Sequence, residues 1–201
     1  MNYPTTIRNL IECYKKLPGI GEKSAERMAL ATLNFDQNII DLFSESLKDS
    51  KTKIKRCEKC NNYSEEDQCN ICKDKSRNKK TICVVEEPKN IVLFEKIGTY
   101  DGLYYVLDGL ISPLDGINPE QIKIDSLIKK IKKEKIEEVI LALKPSIEGE
   151  TTSLYILKLL EDTNVVVSKI AHGVPLGADM DYIDSLTLEM ALEDRKRLSN
   201  S

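Results

Sequence analysis

Residues 56–73 read "RCEKCNNYSEEDQCNICK". Cys57 and Cys60 form one C-x-x-C pair, Cys69 and Cys72 a second, and eight residues separate them. Around this stretch the chain from 51 to 80 holds almost no apolar residues, and Ile54, Tyr63 and Ile71 cannot build a core between them. Something other than hydrophobic burial must order the segment, or it is disordered. Zinc takes four ligands in a tetrahedron, and each C-x-x-C turn presents two thiolates to one ion. Two such turns close the site and leave no position for water, which argues against catalysis by this metal. Ligation supplies about 10–16 kcal/mol of folding free energy in small zinc peptides. Two redox pairs or unrelated thiols are the competing reading; the paired spacing and the missing core favour one structural zinc ion. Cys13, in a helix, and Cys83, in a strand, lack partners at this spacing and are expected to be small buried hydrophobes.

Six cysteines in a reducing compartment are ligands or core thiols before they are disulfides. The start, "MNYPTTIRNL", lacks the apolar centre of a signal peptide, and no run of 18 apolar residues exists. The cytoplasm is therefore the expected compartment, with no membrane partner.

On the N-terminal side, Ile7, Leu10, Ile11 and Tyr14 recur at helical spacing, which predicts a helix from Thr5 to Lys16 that Pro18 stops. A second helix carries Ala25, Met28, Ala29 and Thr32 on one face, and a third carries Ile39, Leu42, Phe43 and Leu47. Between the first two lies "LPGIGEKSAERMA", residues 17–29. Glycine allows a left-handed backbone and close approach of another molecule. Gly19 and Gly21 stand at the mouth of the second helix, whose first amides have no intrahelical partner and carry the positive end of the helix dipole. Such a mouth binds phosphate. Lys23 and Arg27, four apart, share one face. Together they make a grip for a nucleic-acid backbone without base readout. A tight helical hairpin with no ligand is the alternative. A P-loop is excluded, because Glu22 precedes Lys23 where glycine is required and a helix, not a strand, precedes the turn.

On the C-terminal side the pattern alternates. "TICVVEE", "LYYVL", "EEVILAL" and "NVVVSKIA" read as strands. "PKNIVLFEKIG", "NPEQIKIDSLIKKIKKE" (with Ile124, Leu127, Ile128 and Ile131 inward) and "GETTSLYILKLLED" read as helices. This implies a parallel sheet covered on both faces. "YIDSLTLEMALEDRKRLS" closes the chain as a helix. Charge is uneven beneath the net −3: residues 1–50 sum to −1, residues 51–80 to +5 and residues 81–201 to −7. The basic middle is either a zone facing a polyanion or a solvated lysine-rich loop.

"LPGIGEKSAERMA" resembles a helix-hairpin-helix motif. Followed by the four-cysteine site and a β/α region opening "VVEE", the chain resembles, over essentially its whole length, the RecR family of bacterial recombination mediators. The resemblance implies a multi-domain α/β protein. Its parts would be a helix-hairpin-helix bundle over residues 1–52, a small four-cysteine zinc finger over 53–80, a Toprim-like parallel β/α domain over 81–176 and a C-terminal helical segment over 177–201 for assembly or partner contact. It implies a non-enzymatic, sequence-independent DNA binder using Gly19, Gly21, Lys23 and Arg27, with one zinc ion on Cys57, Cys60, Cys69 and Cys72. Its expected setting is a ring-like homo-oligomer, such as a tetramer, at the nucleoid. There it would work with RecO and RecF to help RecA displace single-strand-binding protein from DNA.

Catalytic Toprim domains hold Mg²⁺ with one Glu and an Asp-x-Asp pair. Here Glu86 matches the first, but Lys144-Pro145-Ser146 stands at the pair. Glu148 and Glu150 lie just beyond, so a metal-dependent nuclease or primase-like enzyme remains the alternative. His172, the single histidine, sits in "AHGVPLGADMDYID", which resembles the family's Walker-B-like C-terminal segment. A lone imidazole is no acid–base set. Without a Walker A motif, ATP hydrolysis is not expected.

Overall fold

In the computed structural model, which describes residues 3–171 and 173–195, the chain falls into two units, 1–54 and 55–201. The first unit holds α1 (Thr5–Lys15), α2 (Glu22–Thr32) and α3 (Gln37–Thr52). Ala25 and Ala29 have no bulk beyond Cβ, so α2 can lie close against Ile11, with Ile7, Leu10, Tyr14 and Ile20 around them. Thr32 is buried with its hydroxyl satisfied: it donates to the Met28 carbonyl at 2.8 Å and pairs with the Tyr14 hydroxyl at 2.7 Å.

One apolar face of this unit is left open, and one expectation needs correction. The apolar face expected on α3 forms, but the described residues leave it uncovered: Ile39, Leu42, Phe43 and Leu47 are 46–67% exposed and α3 buries no residue. Cys13 is exposed rather than buried, because it sits off the stripe formed by Ile7, Leu10, Ile11 and Tyr14.

The second unit starts with the cysteine segment: β1 (Lys55–Arg56) pairs antiparallel with β2 (Tyr63–Ser64), and the single turn α4 (Asn70–Lys73) follows. Then come β3 (Asn78–Val85), α5 (Pro88–Ile97), β4 (Gly102–Val106), α6 (Ile124–Glu134), β5 (Glu138–Ala142), α7 (Ile147–Leu160), β6 (Val166–Lys169) and α8 (Ser185–Glu193). The four long strands make one parallel sheet in the order β4-β3-β5-β6. Alternation along β3 feeds two cores. Ile82 and Val84 join the larger one under α6 and α7, with Leu127, Ile131, Ile156 and Leu160. Cys83 and Val85 face the smaller one, which α5 covers through Ile91 and Phe94, with Ile71 of α4 packed beside it. Cys83 is thus the buried hydrophobe expected, and burial pushes its thiol up to about 12.

The helix expected from Asn118 begins only at Ile124. Pro119–Gln121 forms a separate 3-10 turn in which Asn118 and Gln121 cap each other. Ile128, expected inward, is only partly buried. No helix among the described residues is long and apolar enough to cross a membrane. The last helix, expected from Tyr182, begins at Ser185 after a 3-10 turn at Met180–Tyr182; its expected end, residues 196–199, lies outside the described residues, as does His172.

Candidate nucleic-acid interface and metal centre

Leu17, Pro18, Gly19 and Ile20 form a turn closed by the Ile20 amide donating to the Leu17 carbonyl at 3.2 Å. Proline sets the second position and Gly19, at φ +78°, supplies the left-handed third. Gly21 is extended (φ −84°, ψ 175°), and its carbonyl accepts from Ala25 at 2.9 Å, opening α2. No side chain caps that helix start, and the space around both glycines is open.

The acids of the first turns are engaged elsewhere. Glu22 pairs with Lys15 at 2.8 Å, and Glu26 accepts from the Tyr3 hydroxyl at 2.7 Å. Lys23 and Arg27 are exposed and have no carboxylate partner among the described residues. The arrangement therefore sets two free cations beside uncapped amides, a combination that favours a bound anion.

The ligand-bearing sulfurs of Cys57, Cys60, Cys69 and Cys72 all lie within 4.8 Å of one another, and Cys60 Sγ is 3.6 Å from Cys69 Sγ. Zinc–thiolate bonds of about 2.3 Å in a tetrahedron require sulfur separations close to this, so the four thiols fit one structural zinc ion. The Cys69 amide also donates to Cys57 Sγ at 3.3 Å, the kind of N–H···S contact that holds a thiolate in place.

The knuckle is fastened to the sheet by its backbone. Val106 of β4 donates its amide to the Cys60 carbonyl at 2.9 Å, and Asn61 Nδ2 donates to the Val106 carbonyl at 3.1 Å. Asn61 adopts φ +61°, a left-handed conformation that asparagine tolerates. Arg56 bonds the Asn61 carbonyl and Asp108, and stacks on Tyr63 with its guanidinium carbon 4.6 Å from the ring centre. Downstream, Arg77 donates to the Gly102 carbonyl at 3.0 Å and pairs with Glu95, which also accepts from the Tyr104 hydroxyl. Sequence reasoning missed these fasteners. The one legible signal was the Asn61-Asn62 pair directly after Cys60, a turn composition.

At the carboxyl ends of β3 and β5, where the chain leaves in opposite directions, lies a cleft of about 580 Å³ lined in part by Glu86, Leu93, Phe94, Ile97, Lys144 and Ile170. Such switch points are where open parallel sheets bind ligands. Burial, with Glu87 beside it, pushes the Glu86 carboxyl above the usual range, while Lys144 and Lys89 oppose the shift. Glu150 is held by Lys169 at 2.9 Å, and a hydrogen bond from Ser146 lowers Glu148. Among the described residues the four cysteines are the one group arranged to hold a metal ion; Glu86, Glu148 and Glu150 do not form another.

Four known family models match the chain in succession. They are described as a RecR helix-hairpin-helix (residues 7–51), a RecR four-cysteine zinc finger domain (54–74), a Toprim domain (80–171) and a RecR C-terminal region (173–196).

Proposed function

The chain belongs to the RecR family, and from that premise we propose that it is a non-enzymatic DNA-binding mediator of recombinational repair. It grips the phosphate backbone at the entrance of α2. Gly19 and Gly21 let the strand approach, the free amides donate to phosphate oxygens, and Lys23 and Arg27 add charge without reading bases. The observation that carries this reading is that both cations of α2 lack a carboxylate partner among the described residues while its acids are tied to Lys15 and Tyr3.

A single grip of this kind is weak, with Kd of about 10⁻⁴–10⁻⁶ M at physiological salt. The apolar face of α3, which the described residues leave uncovered, supports assembly of several copies, and joint engagement of linked sites raises avidity by about 10²–10⁴. In this reading the assembly is a ring-like homo-oligomer that acts with RecO and RecF proteins in loading RecA onto single-stranded DNA. Lys144 at the Toprim cleft, and the engagement of Glu150 by Lys169, favour a non-catalytic role for that domain.

The test is Lys23→Ala with Arg27→Ala, assayed for DNA binding across a salt series. Two lost phosphate contacts predict a salt slope shallower by about 1.5–2 for each grip. Unchanged affinity and unchanged slope, with the fold intact by circular dichroism, would overturn the reading.

A further inference from the structure

Beside the zinc centre lies an open cleft of about 430 Å³, and Cys72 forms part of its wall. Cys72 is half-buried, whereas the other three ligands are buried. Lys59 from the first knuckle turn, Lys79 from β3, and Lys130 and Glu134 from α6 line the same cleft. One carboxylate serves two of these cations: Glu134 is 2.5 Å from Lys130 Nζ and 3.7 Å from Lys59 Nζ. Lys79 has no ion pair among the described residues. The Lys130 side chain is only 8% exposed, and lysine is almost never so buried without compensating charge.

Counted without metal, the cleft has two surplus positive charges and looks like an anion site. Zinc changes the count. Four thiolates on a divalent ion leave two negative charges at the metal centre, and these with Glu134 match the three ammonium groups. An anionic ligand would therefore enter a neutral cleft next to a dianion. We propose that Lys59, Lys79 and Lys130 are the counter-cations of the zinc tetrathiolate. They are placed on the side where Cys72 is open to solvent, and they hold that thiolate on the metal. Nearby positive charge offsets the charge of the metal centre and lowers the nucleophilicity of the half-buried Cys72 sulfur. The inference rests on the zinc centre and is independent of the DNA reading.

The test compares the zinc-loaded full chain with the variant carrying Lys59→Gln and Lys79→Gln, two positions exposed enough to leave packing intact. Iodoacetamide, a neutral reagent, is the probe. The thiolate sulfur displaces iodide and becomes a thioether that leaves the metal. Zinc release is read with a chromogenic chelator, and alkylated positions are mapped by mass spectrometry. The double variant should release zinc about three- to tenfold faster, the size expected for two partly exposed charge interactions, with Cys72 the first of the four ligands alkylated. The charge-preserving pair Lys59→Arg and Lys79→Arg should retain the slow release, and Lys75→Gln, away from the cleft lining, should have no effect. Exposed Cys13, outside the cluster, should react equally in all variants and serves as the internal reference. Equal release rates, a different ligand reacting first, or no rescue by arginine would overturn the proposal. So would lost DNA affinity with unchanged zinc retention, which would make the cleft a phosphate site.

Discussion

Gly149 and Gly21 are one residue type under opposite constraints. A Cβ at Gly149 would stand 1.9 Å from the Lys144 carbonyl oxygen, because the first turn of α7 is laid directly over the end of β5. Gly149→Ala should lower the unfolding free energy by about 1–3 kcal/mol in denaturant titration; an unchanged midpoint would show that α7 can slide away freely. At Gly21 the backbone is extended and a Cβ would meet nothing within 4 Å. Gly21→Ala should stay within about 0.5 kcal/mol of the parent stability yet weaken DNA binding, because a methyl group then occupies the path of the phosphates. Full affinity would mean that the strand does not approach there. In the sequence Gly19 and Gly21 read alike; only the backbone angles separate the glycine that makes the turn from the one that leaves space. Cys13 was legible in principle, since counting along the helix places it off the apolar stripe.

Among the elements, the knuckle and β4 form one structure. β4 is an edge strand of the sheet, and its outward groups at Val106 and Gly102 are occupied by Cys60, Asn61 and Arg77. Bare strand edges template association with other chains. Stripping the zinc with a strong chelator should therefore do more than unfold the small knuckle. Light scattering should rise in the metal-free protein at concentrations where the loaded protein stays clear, and readdition of zinc before aggregation should prevent the rise. A clear, monodisperse metal-free sample would contradict this.

The zinc ligands, the strands and most helices could be read from the sequence because each depends on local spacing: two residues between paired thiols, apolar runs for buried strands, helical periodicity for α1, α6 and α7. What could not be read depends on distant partners. The stripe on α3 announces that a face is apolar but not what covers it. The bond from Val106 to Cys60 joins segments whose pairing has no pattern of its own. The late start of α6 follows from reciprocal capping between Asn118 and Gln121, which competes with helix formation.

For the molecule as a whole, the proposed assembly is testable through α3. Leu42→Glu with Phe43→Glu places charge on the two exposed side chains at the middle of its apolar face. If copies of the chain meet there, mass measured by light scattering should fall to that of a smaller species. DNA affinity should drop by at least about tenfold as joint engagement is lost, although Lys23 and Arg27 are untouched. Unchanged mass would assign that face to something other than a second copy. The diversion of Glu22 to Lys15 and of Glu26 to Tyr3 also bears on handling. It segregates charge within a polypeptide whose total is negative, so at one neutral pH the same preparation should be retained both by an anion-exchange resin and by immobilised heparin, each column holding a different part of its surface.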